Sequence, residues 1–161
     1  MKRNFQTKIM QINNQLLPYK EILSEWKNSD LTSESARMLT LKQSEAFEKI
    51  VTNEDGWNYF VKVFNQGREV DAWLALDWPD GFDELLLCVP LCTLVKFECS
   101  ECYVGKRQEN NSCANDFSLF GYIAELIKKN DREGLILHIE DVKKILTDEN
   151  CKWDIKKLKI I

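Results

Sequence analysis

The apolar period of this chain changes after Gly67, and that change constrains the fold more than any other feature. Before it, in DGWNYFVKVFNQG, Trp57, Phe60, Val61 and Phe64 recur at helical spacing, Asn58, Lys62 and Asn65 fall opposite, and Gly67 suits a helix stop. Trp57, Tyr59, Val61 and Val63 also alternate, so an extended reading stays open there. After it, in REVDAWLALDWPDGFDELLLCV, Val70, Ala72, Leu74, Leu76 and Trp78 share one face of an extended segment, and Asp71, Trp73, Ala75 and Asp77 share the other. Pro79, Asp80 and Gly81 supply a turn: Pro presets φ, Asp bonds its own backbone and Gly accepts positive φ. The segment reads as a β-hairpin. Leu91 to Phe97, after Pro90, supplies a third strand, which an independently stable sheet needs.

Helical spacing flanks this ribbon. Pro18 suits a first turn, Tyr19, Ile22, Leu23 and Trp26 follow in register, and Asn28, Ser29 and Asp30 end the helix. Thr40 followed by Gln43 has the form of a capping box, opening a helix with Phe47, Ile50 and Val51 on its apolar side; Ser33 marks an earlier start. Asp116 or Ser118 caps a helix with Leu119, Phe120, Ile123, Leu126 and Ile127 on one stripe and Lys128 and Lys129 at its carboxyl end. Asp131 caps the next, with Leu135, Ile139, Val142 and Leu146 in register. The expected fold is α+β: one domain over residues 1–161, with amino-terminal helices, a small central antiparallel sheet and a carboxy-terminal helical hairpin. An all-α fold is the alternative, because Arg68 to Trp78 also contains good helix formers.

A chain of 161 residues, 44% apolar with five Trp and eight Phe, buries a working core without staples. MKRNFQTKIMQINNQ lacks the apolar run of a secretory signal, and LLLCVPLCTLV is too short to span a bilayer. The expectation is a cytoplasmic protein with no membrane partner, whose six Cys are reduced thiols. Cys88, Cys92 and Cys151 read as small buried hydrophobes.

Charge distribution points to the kind of partner. Glu69, Asp71, Asp77, Asp80, Asp83 and Glu84 follow one another with no Lys or Arg between them, whereas the last ten residues, KWDIKKLKII after Cys151, are basic. Net charge is −4, the opposite of what direct nucleic-acid binding calls for, and an acidic patch suits a protein with a basic surface. Asp71, Trp73, Asp77, Asp80 and Asp83 are the partner-binding candidates, with Trp73 as anchor and the carboxylates orienting the encounter. The competing reading covers Trp73 with a helix and leaves the acids solvating a sheet edge. Asp77, Asp80 and Asp83 lack the alternation and terminal Glu of an EF-hand.

The stretch CSECYVGKRQENNSC carries the metal candidates. Cys99 and Cys102 have the spacing that brings two thiolates to one zinc, Cys113 adds a third ligand, and Cys151 or His138 must supply the fourth. One such pair is a weaker signal than two, and a loop ordered by packing and hydrogen bonds explains the same residues. The structural frame of a thioredoxin is not evident around the pair. His138, the one histidine, lies beside the apolar stripe of its helix and reads as a satisfied, partly buried side chain. Gly105 before Lys106 is only a fragment of a phosphate loop; Lys106 and Arg107 offer an anion contact or a solvated loop. No catalytic set emerges. A zinc-stabilised module is the second function, and a thiol enzyme using Cys113 the third.

Three segments, CYVGKRQ from Cys102, SLFGYIAEL from Ser118 and DREGL from Asp131, resemble segments of small bacterial immunity proteins, which neutralise contact-dependent growth-inhibition and related polymorphic toxins. The resemblance implies a cytosolic inhibitor that binds one cognate toxin domain, such as a nuclease, and blocks its active site. It carries over no catalytic and no contact residue.

Overall fold

Thr32 sets the start of the first long helix. Its hydroxyl accepts the Ser35 amide, and α1 runs Ser33–Thr52. The Asp30 carboxylate braces this cap by accepting from the Ser35 hydroxyl, the Thr32 hydroxyl and the Thr32 amide, which holds its pKa below the usual value. The structure is a computed structural model that describes residues 24–65, 89–96, 98–108 and 117–161. In it the earlier of the two starts is the true one. Thr40 does not cap a helix: it is 1% exposed and its hydroxyl donates to the Ala36 carbonyl at 2.8 Å. Back-bonding of this kind lets Thr40 and Ser44 lie in the interior, so the buried face begins at Ala36 rather than after Thr40.

Residues 24–27 end a helix just where Asn28 to Asp30 mark the stop, with the Ser29 hydroxyl donating to the Trp26 carbonyl. A second helix, α2, spans Glu54–Asn65, so the helical reading of this stretch holds over the alternating one. Gly56 permits the tight approach to α1, since a Cβ there would lie 2.3 Å from the Ile50 carbonyl oxygen. The strand expected from Leu91 to Phe97 is not formed. Val89–Leu94 is a helix, α3, packed on α1 with Leu91 1% exposed. A short apolar run has no period of its own, and Pro90 is harmless in a first turn where its missing N–H has no intrahelical partner to lose.

Two 3-10 turns, Cys99–Glu101 and Gly105–Arg107, follow. Next come α4 (Gly121–Lys128), whose first amide is accepted by the Ser118 hydroxyl, and α5 (Arg132–Thr147), whose Gly134 amide is accepted by Asp131. They form the helical hairpin expected from the sequence. The turn between them is a Schellman motif: Asn130 takes φ 57°, its amide donates to the Ile127 carbonyl, and the Asp131 amide donates to Leu126. The Asn130 side chain also accepts the Trp57 indole N–H at 3.1 Å, which fastens α2 to the hairpin. Arg132 donates to the Val51 and Thr52 carbonyls, placing a cation on the open carbonyl end of α1. Lys143 lies 2.9 Å from Glu48, a further tie between α1 and α5, and 2.7 Å from Glu140 on its own helix.

The chain closes in a hairpin, β1 (Trp153–Asp154) antiparallel to β2 (Lys159–Ile160), with Trp153 opposite Ile160; Gln108 adds a parallel bridge to Trp153. The fold is α+β. Among the described residues its small antiparallel sheet is this terminal hairpin, while the central ribbon expected around Arg68 to Val89 falls almost wholly outside them. One core joins the elements, with Phe47, Ile50, Leu91, Leu119, Leu135 and Trp153 among its most enclosed side chains. Among the described residues no helix is long and apolar enough to cross a membrane.

The cap at Asp131 gives a direct check on the hairpin. Asp131→Ala is expected to lower the unfolding free energy by about 1 kcal/mol in urea titrations, and Asp131→Ser to retain most of it.

Candidate functional site

The acidic partner-binding candidates Asp71, Trp73, Asp77, Asp80 and Asp83 lie outside the described residues, as does Cys113. The remaining chemistry-bearing residues divide into a set committed to the core and a set gathered around a cleft.

Cys99 to Arg107 folds as two consecutive tight turns. The Cys102 amide donates to the Cys99 carbonyl and the Lys106 amide to the Cys102 carbonyl. Gly105 sits against this backbone so closely that a Cβ would stand 1.8 Å from the Cys99 carbonyl oxygen, which is why glycine precedes Lys106. Cys102 is buried, and burial pushes its thiol pKa up, with the nearby Cys92 and Cys99 adding to the effect. Among the described residues the near thiol neighbours of Cys102 are thus Cys92 and Cys99. The Cys151 thiol is also pushed up, by desolvation and then by Asp148. Among the described residues no group of three or more His, Cys, Asp or Glu is placed to hold a metal ion.

His138 is more deeply placed than the sequence suggests, at 3% exposed. Its Nε2 faces the Leu119 carbonyl oxygen, which makes that nitrogen the donor, and its ring stands edge-on to Tyr122 and Trp153 at centroid distances of 5.1 and 5.0 Å. Burial drives the imidazole pKa from 6.5 down to about 4, against the opposing pull of the Leu119 carbonyl. The side chain is therefore neutral at physiological pH, and its Nε2 is not free to serve as the fourth zinc ligand.

Gln108 links the tight turns to the end of the chain. Its side-chain oxygen accepts the Leu119 amide at 2.7 Å while its backbone bridges to Trp153, whose indole N–H donates to the Phe117 carbonyl. The result brings Lys106 and Arg107 together with Lys152, Lys156 and Lys157 around a cleft of about 400 Å³, in which Asp154 is the one carboxylate side chain among the described lining residues. That carboxylate accepts from the Lys156 and Lys157 amides, shaping the turn that carries both lysines. Arg107 is held over the Tyr103 ring, 3.5 Å from its centroid, and donates to the Tyr103 carbonyl at 2.8 Å; Arg37 lies 4.5 Å from the same ring. Lys106 approaches Glu101 at 3.7 Å, an exposed pair of little energetic consequence.

Sequence reasoning marked Lys106 and Arg107 as one anion contact and the carboxyl end as basic, but nothing in the spacing joined them. The joining residue is Gln108, whose buried side chain has no sequence signature. Comparison with protein-family models, with curated proteins and with solved structures finds no match.

Two outcomes follow from this geometry. Above pH 6.5 His138 is neutral folded or unfolded and contributes no pH dependence; between 6.5 and about 4 only the unfolded chain takes the proton, so stability falls as pH falls. The loss attributable to this group is about 3 kcal/mol, read as the difference in slope between the native chain and His138→Gln in urea unfolding across that range. Gly105→Ala is expected to cost about 2–3 kcal/mol in thermal unfolding, because backbone must move to admit the methyl.

Proposed function

We propose that this chain is a cytosolic protein-binding inhibitor of the immunity kind, one that neutralises a toxin domain with a basic surface, such as a nuclease, by stoichiometric binding. The observation that carries the reading is the segregation of charge. Six carboxylates between Glu69 and Glu84, uninterrupted by Lys or Arg, exceed the net −4 of the whole chain, so the entire negative surplus resides in that stretch. Concentrated charge of one sign speeds encounter with a partner of the other sign and fixes its approach. The reading is further supported by how the groups an enzyme would recruit are used: His138 holds the Leu119 carbonyl, and the buried Cys102 thiol resists ionisation.

Co-expression with the product of the neighbouring gene tests the proposal. The expected outcome is relief of that product's toxicity, a one-to-one complex in light scattering, and an affinity that falls as salt rises. Trp73→Ala with Asp77→Lys is expected to weaken the complex by at least about tenfold. Unchanged affinity after both substitutions removes the acidic stretch as the docking surface, and the lack of any complex or protection removes the inhibitor reading.

A further inference from the structure

We infer that the cleft between the Gly105–Arg107 turn and the carboxy-terminal hairpin is a binding site for a small ligand bearing a chain of phosphates. Lys106, Arg107, Lys152, Lys156 and Lys157 converge there on a volume of about 400 Å³, within the range of small-molecule sites. Like charges brought together in this way repel one another, and Asp154, the one carboxylate side chain among the described lining residues, accepts from two backbone amides. A bound polyanion relieves that repulsion. A chain of phosphates matches several cations at once, which one monoanion does not.

Part of the site is preformed. Arg107 is clamped by stacking on Tyr103 and by its bond to the Tyr103 carbonyl, so its guanidinium loses little freedom on binding. The backbone amides of Lys106, Arg107 and Gln108 are all spent on carbonyls within the turns, so recognition falls to side chains rather than to an amide cradle. The aromatic lining residue, Trp153, is 2% exposed with its N–H given to Phe117, and presents no face on which a base can stack. Single-strand binders rely on such faces. The cleft is thus suited to phosphates and indifferent to the group attached to them. Occupancy of this site does not depend on the inhibitor reading.

The test is calorimetric titration of the full chain with inorganic tripolyphosphate at low ionic strength. Expected is one-to-one binding with Kd below about 1 mM, weakening as salt is added. ATP is expected to bind within about threefold of tripolyphosphate, and inorganic sulfate at least about tenfold more weakly. Lys152→Ala with Lys157→Ala is expected to cost at least about tenfold, and Lys49→Ala with Lys129→Ala, which are exposed lysines elsewhere, less than about twofold. Amide shifts of the native chain at residues 105–108 and 152–157 on titration locate the ligand without any substitution. The inference is overturned by no heat at about 1 mM tripolyphosphate, by equal losses in the two double variants, or by amide shifts confined to other residues. Tighter binding of a thymidine oligonucleotide through the same lysines also overturns it, in favour of a nucleic-acid backbone.

Discussion

Both backbone polar groups of Leu119 are satisfied by side chains from distant parts of the chain, and the architecture around the carboxyl half depends on this. Gln108 accepts the Leu119 amide and His138 bonds the Leu119 carbonyl, while the Leu119 side chain is itself fully buried. An unpaired buried amide or carbonyl costs roughly 1–3 kcal/mol, so the two contacts together specify where the tight turns, α4 and α5 meet. Trp153 packs edge-on against the same imidazole and so places the terminal hairpin. Fold and cleft share this one polar junction: the turn carrying Lys106 and Arg107 stands where it does because Gln108 reaches Leu119.

The helices were largely legible in the sequence. The α4–α5 hairpin was evident from the cap at Asp131 and from apolar stripes that the structure buries residue for residue, from Leu119 through Leu146. Local signals sufficed there because period, cap and turn agree. The misreadings arose where a local signal competed with burial. Thr40 and Gln43 imitate a capping box, yet Thr40 finds its partner one helical turn back and lies inside the protein. Leu91 to Phe97 is too short and too uniformly apolar to declare a period, and α1 supplies the surface on which α3 buries Leu91.

The candidate sites were legible unevenly. That CSECYVGKR is an ordered loop could be anticipated from its composition, and the two tight turns with Gly105 against Cys99 give the physical form of that order. The position of Cys92 near Cys102 could not, because it depends on how α3 returns to α1. The cationic cleft was legible only as two unrelated basic stretches. Electrostatic sites built from separate segments leave no spacing in a sequence, since the distance that matters is set by a tertiary contact.

Asn130 answers to two demands that different residues would satisfy separately. Its backbone conformation, at φ 57°, suits glycine best, whereas its carboxamide oxygen receives the Trp57 indole N–H, which glycine has no means to accept. Asparagine is the common solution, because it tolerates the left-handed region and carries an acceptor on a short stem. The consequence for divergence is a pair of linked positions: a drift to glycine at the bend becomes tolerable once the indole has been exchanged for a side chain with no donor to satisfy.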